Sequence, residues 1–170
     1  MKISQLKNGD AGLMNRRIKW LVPRGGFSAL ELAIVMAMVG ILSAVTVPLY
    51  LGYREKAQTD AAILGIKVIT TAVQGYEVEN NGYPDSLADV GFARMKDPWG
   101  HPYQYTKIAG AGHGVGQFRK DRFTVPINTD FDLYSMGPDG RSAPPLTARN
   151  SRDDIIRAND GVFIGKASDY

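Results

Sequence analysis

From Leu32 to Tyr53 the chain runs for 22 residues without a formal charge. A helix of that length covers roughly 33 Å, about the thickness of a bilayer's hydrocarbon core, so the run reads as a membrane helix. Glu31 sits at its head. An acid at the edge of hydrocarbon costs on the order of 2.5 kcal/mol or more unless a cation meets it, and an ordinary anchor gives no reason for one. A cut after Gly26 would supply the cation: the new ammonium on Phe27 can lie against Glu31 of a neighbouring copy. A secretory signal peptide places its small residues after a short apolar core. Here Gly25 and Gly26 precede a long one.

A basic leader, then Gly26-Phe27, then an acid four residues after the aromatic, resembles the type IV prepilin signature. That resemblance implies cleavage between Gly26 and Phe27 by a prepilin peptidase, N-methylation of Phe27, and an assembly role for Glu31. The charge pattern agrees with a retained leader. Residues 1–26 hold six of the 20 Lys and Arg and one of the 17 Asp and Glu, which leaves 14 bases against 16 acids, a formal −2, in the remainder. The basicity therefore argues for a cytoplasmic leader and an outward domain, and not for nucleic-acid binding. There is no cysteine, so no disulfide can hold the outer domain although it would fold in an oxidising compartment.

Helical periodicity continues past the membrane edge. Tyr53, Ala57, Ala61, Leu64, Val68, Ala72 and Tyr76 recur at three- and four-residue steps, while Arg54, Glu55, Lys56, Asp60 and Lys67 fall off that stripe. The helix is expected from Phe27 to Asn80, with Asn80-Asn81-Gly82 supplying a left-handed end and Pro84 preventing resumption. Pro48 removes a backbone donor between Gly40 and Gly52, which predicts a bend or a melted turn there. Pilins carry a proline at this place as well.

Beyond the helix, Asp85-Ser86 caps a short turn over 87–90, and strands are expected at 103–108, 122–125, 131–135 and 162–164. The glycine-rich run 110–116 reads as a hairpin loop, and Asn159-Asp160-Gly161 as a hairpin turn. These readings give an α+β fold: a long N-terminal helix, membrane-spanning and then amphipathic, packed on a small antiparallel sheet of three or four strands. The organisation is a leader (1–26), a transmembrane and filament-core helix (27–53), its amphipathic continuation (54–82) and a globular β domain with a C-terminal loop (83–170).

Tyr83-Pro84, the block Asp97-Pro98-Trp99-Gly100-His101-Pro102-Tyr103 and Ser135-Met136-Gly137-Pro138-Asp139-Gly140 together resemble the G pseudopilins of type II secretion. The prolines fix a turn, Gly100 permits positive φ and Trp99 covers a small core, so these residues serve folding. The resemblance also implies a calcium ion in the C-terminal loop, with Asp139, the Met136 carbonyl, and Asp153 or Asp154 as its ligands. Calcium needs six to eight oxygens. Two departures stand out: Pro138 occupies a place where some relatives have a ligand, and the gap from Asp139 to Asp153 is long. Arg141, Arg149 and Arg152 offer the same carboxylates ordinary surface ion pairs, so both arrangements stay open.

Nothing in the sequence points to an enzyme. His101 and His113 lack a zinc ligand set, the glycine run lacks a phosphate-loop Lys-Ser/Thr, and no nucleophile-base constellation is recognisable. The family resemblance implies a homo-oligomeric helical filament in the periplasm, rooted in the inner membrane. Its implied partners are minor pseudopilins, the prepilin peptidase, an inner-membrane platform and that platform's ATPase. The alternatives are a type IV pilin of a surface fibre and a bitopic protein with a periplasmic binding domain. A sheet this small hardly provides the concave site that the second needs.

Overall fold

The computed structural model describes residues 26–110 and 116–170. The expected hairpin loop at 110–116 lies, for 111–115, outside the described residues. The described chain falls into two compact units that part between Ser43 and Ala44. The first holds the start of helix α1 (Ala29–Asn80); the second holds the rest of it and the whole sheet.

Helix α1 is continuous through Gly40, Pro48 and Gly52, so the chain does not melt between those glycines. A proline removes one donor from the ladder, and a helix with many intact bonds on either side survives that loss. It ends as the sequence suggests: Asn81 takes the left-handed conformation at φ 53°, and the Gly82 amide reaches back to the Glu77 carbonyl at 3.3 Å. The following turn is fastened by Asp89, whose carboxylate accepts the amides of Asp85 and Ser86.

Four strands follow: β1 (Gln104–Lys107), β2 (Phe131–Ser135), β3 (Ile155–Ala158) and β4 (Phe163–Lys166). They pair antiparallel in the order β1-β2-β3-β4, with Tyr105 opposite Leu133, Tyr134 opposite Ile156 and Arg157 opposite Ile164. The β3–β4 connection is the expected Asn159-Asp160-Gly161 hairpin, with positive φ at all three residues. The strand expected at 122–125 does not form. Arg122 adopts φ 46° and Asp121 and Thr124 close a tight turn around Arg122 and Phe123, so the segment reverses instead of extending.

The second correction concerns the helix. The residues that meet the sheet are Ala62, Ile66, Ile69 and Val73, packed against Tyr103, Phe131, Leu133 and Ile155. The stripe expected to do so is exposed at Tyr53, Ala57, Ala61, Leu64 and Val68. Two faces of α1 are apolar, and periodicity alone cannot say which one the sheet chooses. Burying Ile66, Ile69 and Val73 completely is worth about 1.5–3 kcal/mol each. Gly65 makes the close approach possible, since a Cβ there would fall 2.1 Å from the Tyr103 hydroxyl oxygen.

The sheet's other face carries a smaller core of Ile127, Leu146, Ile156, Ala158 and Ala167. Polar groups are buried beside both cores. Arg157, 1% exposed, lies over the Phe131 ring and forms a bidentate pair with Asp130 at 2.8 and 2.5 Å. Asn128 bridges Asp132 to the Arg157 carbonyl.

Candidate functional site

Two places carry the residues singled out by sequence. The first is the head of α1. Ser28 caps the helix: its hydroxyl accepts the Glu31 amide and its carbonyl the Leu32 amide, each at 3.1 Å. Ser28-x-x-Glu31 has the spacing of a capping box, so Glu31 also stands where an acid favours the helix N-terminus. Among the described residues nothing lies within 4 Å of where a Gly26 Cβ would sit, and Phe27 is 81% exposed. From Phe27 to Ala57 every residue is exposed. Among the described residues α1 is the one helix long and apolar enough to cross a membrane.

The second place joins three turns. Asp97, 5% exposed, fixes the Asp-Pro-Trp-Gly-His block by accepting the amides of Trp99 and His101 at 3.0 and 2.8 Å. Its other oxygen accepts the Ser135 hydroxyl at 2.5 Å, and that hydroxyl accepts the Gly137 amide at 3.1 Å. His101 Nδ1 donates to the Gly137 carbonyl at 3.1 Å. Gly137, at φ 65°, in turn lies so close to the third segment that a Cβ would meet the Asp153 carbonyl oxygen at 2.4 Å. The 97–103 and 135–140 blocks are thus welded to each other, and Asp153 packs on the weld. Burial, and then the Asp97 charge, push the nearby Tyr103 hydroxyl up to about 12, which keeps it a neutral donor to the helix.

The loop between β2 and β3 closes on itself as well. The Ser151 hydroxyl accepts the Ala143 amide at 2.9 Å and donates to the Ala143 carbonyl at 2.8 Å. The backbone pairs Lys120 with Pro144 and Leu146, at 3.0 and 2.9 Å. Arg119, 3% exposed, reaches into this loop. Its Nη2 donates to Asp154 Oδ2 at 2.6 Å, and its Nη1 to the Ser142 hydroxyl and, at 2.8 Å, to the Ala143 carbonyl. Burial raises the Asp154 carboxyl to about 6, against the pull of Ser142 and Arg119.

The expected calcium ligands are near in sequence but differently engaged. Asp139 Oδ1 accepts the Arg141 amide at 2.8 Å, and Asp153 Oδ2 faces the Asp139 amide at 3.3 Å. Asp154 turns inward to Arg119 and Ser142. Met136 lies in the turn that Gly137 fixes, but no three acidic or imidazole groups among the described residues converge as a metal site. No ion pair joins Arg141, Arg149 or Arg152 to these carboxylates among the described residues either.

Sequence reasoning missed Ser28 and Arg119. The first had a signal, since a serine three residues before a glutamate ahead of an apolar run marks a helix start. The second had none.

The chain is 30% identical over 140 residues to the type II secretion system core protein G of Aeromonas hydrophila, covering 70% of this chain and 86% of that protein. It is 27% identical over 139 residues to the core protein G of Pseudomonas aeruginosa, covering 69% and 86%. The type IV major pilin protein PilA of Myxococcus xanthus is 32% identical over 97 residues, covering 56% of this chain and 43% of the pilin. No family model and no solved structure matches the chain.

Proposed function

The chain belongs to the type II secretion system core protein G family, and on that premise we propose that it is a structural subunit of a secretion pseudopilus, not an enzyme. Its single N-terminal apolar helix suits a single-pass protein of the inner membrane. Copies leave the bilayer side by side, pack the exposed apolar half of α1 into the axis of a helical filament, and so drive the export of folded proteins. The leader stays cytoplasmic and the sheet domain faces the periplasm. A prepilin peptidase cuts between Gly26 and Phe27 and methylates Phe27; a membrane platform with its ATPase, and minor pseudopilins, start and extend the filament. Pro48, which lacks an amide donor, is the point at which α1 bends during packing.

One observation carries this reading. The helix presents an uninterrupted exposed apolar surface headed by a single acid, Glu31. Monomeric domains rarely expose so large an apolar surface, which needs lipid or other copies to cover it. In lipid Glu31 is costly, and the Phe27 ammonium of a neighbour relieves that cost only on assembly. Glu31→Leu is therefore expected to be cut and inserted normally yet to yield no filaments by electron microscopy. Ordinary filaments from Glu31→Leu would refute the pairing, and an unprocessed Met1 terminus in cells with an active peptidase would refute the cut.

The pilin reading rests on a match that spans 43% of the pilin, whereas the core protein G relatives are matched over 86% of their length. The pseudopilin reading explains more of the chain.

A further inference from the structure

We propose that the Arg119 guanidinium, and not a divalent ion, is the cation that fastens the loop between β2 and β3 to the sheet. A loop of this length ordered by one 3-10 turn (Arg149–Ser151) must be tied down by something, because its ordering opposes folding at every residue. With no cysteine, the tie is either an ion or the chain itself.

The geometry points to the chain. Arg119 touches all three segments concerned. Its amide donates to Asp132 Oδ2 in β2 at 2.7 Å; its Nη1 holds Ser142 and Ala143 in the loop; its Nη2 holds Asp154 just before β3. The guanidinium lies over the Tyr134 ring at 4.3 Å, which fixes its plane. Its acceptors are a carboxylate, a hydroxyl and a backbone carbonyl, the oxygen types that a hard cation would take. A planar fork with several donors serves several of them at once, and a weakly hydrated guanidinium has less water to shed than a compact ion.

Each carboxylate of the loop already has an oxygen engaged within the chain. Asp154 Oδ1 is buried without a partner, but Asp154 Oδ2 is held by both Arg119 and Ser142. The Asp139 and Asp153 carboxylates face backbone amides. A second positive charge would also meet the guanidinium already in place. Breaking one half of a buried pair is costly, because the remaining charge stays buried without its counterion.

Hydrogen exchange read by mass spectrometry on the full chain in detergent tests this. In peptides spanning 136–154, the wild-type protein is expected to exchange at the same rate in millimolar calcium and in EGTA. Arg119→Met should exchange roughly a hundredfold faster in both, following the cost of orphaning a buried carboxylate. The proposal fails if calcium slows exchange of the wild-type loop about tenfold or more relative to EGTA, or if Arg119→Met matches the wild type in EGTA. Should Arg119→Met not fold, the wild-type comparison alone decides between the two cations.

Discussion

Gly137→Ala is expected to be among the most damaging single-methyl changes in this domain, and the structure says how much of the damage comes from which source. Residue 137 sits at φ 65°, where a Cβ costs about 1 kcal/mol or slightly more. The methyl would also lie 2.4 Å from the Asp153 carbonyl oxygen, 2.9 Å from its carbon and 3.0 Å from Asp153 Oδ2. Two of these are backbone atoms, so no side chain can swing aside; the turn and the 153 segment must part by about 1 Å. Such overpacking costs about 1–3 kcal/mol, and the His101 bond to the Gly137 carbonyl adds about 1 kcal/mol if it is lost. The total is about 3–5 kcal/mol. Gly91→Ala is the control, since Gly91 has φ 81° with nothing within 4 Å of a Cβ, so only the backbone term of about 1 kcal/mol applies. Thermal unfolding followed by Trp99 fluorescence should show Tm falling by roughly 10–20 °C for Gly137→Ala against roughly 3–6 °C for Gly91→Ala. Equal losses would refute the claim that Asp153 is packed onto the turn.

Two further outcomes are expected. Gly65→Ala should lower Tm by roughly 10 °C and tilt the sheet's first strand away from α1, because the new methyl collides with the Tyr103 hydroxyl; an additional Tyr103→Phe, which removes that oxygen, should recover only part of the loss, since the ring carbon Cζ would still lie 2.8 Å from the methyl. Stability should fall as pH rises from 5 to 7. Asp154 is raised from the ordinary carboxylate value near 3.8 to about 6, so the fold favours its protonated form; that advantage is complete below about pH 4 and is lost as pH climbs through 6. Asp132, also raised by burial, adds in the same direction, while Asp160 and Glu55, both lowered, matter only on the acid side. Melting curves of Asp154→Asn should be flatter over that range, and an unchanged slope would show that another group titrates.

The long helix and its acid were legible because they follow from counting: 22 uncharged residues admit few folds, and Glu31 breaks the pattern at one place. Strand β2 was legible to the residue, since Phe131-Asp132-Leu133-Tyr134-Ser135 is a short aromatic-rich run bounded by turn residues. Strand β3 was not. Ile155-Ile156-Arg157-Ala158 shows no alternation, because both faces of the sheet are covered there and the arginine meets its carboxylate inside. The helix's buried face was misread for a related reason. Leu64 and Val68 are as apolar and as regularly spaced as Ile66 and Ile69, and only the sheet's placement separates them. Arg119 was illegible because its partners come from residues 13 to 35 positions away, and a lone arginine in a basic stretch looks like surface.

The clasp between Ser151 and Ala143 has an evolutionary consequence. It closes a small ring whose base is fixed and whose far rim, 147–150, touches little of the core. Residues can be added or removed at that rim without disturbing either strand, and each doubling of such a loop costs only about 0.6 kcal/mol. The wide spacing between Asp139 and Asp153 is slack that a loop tolerates once its two ends are pinned independently of its length.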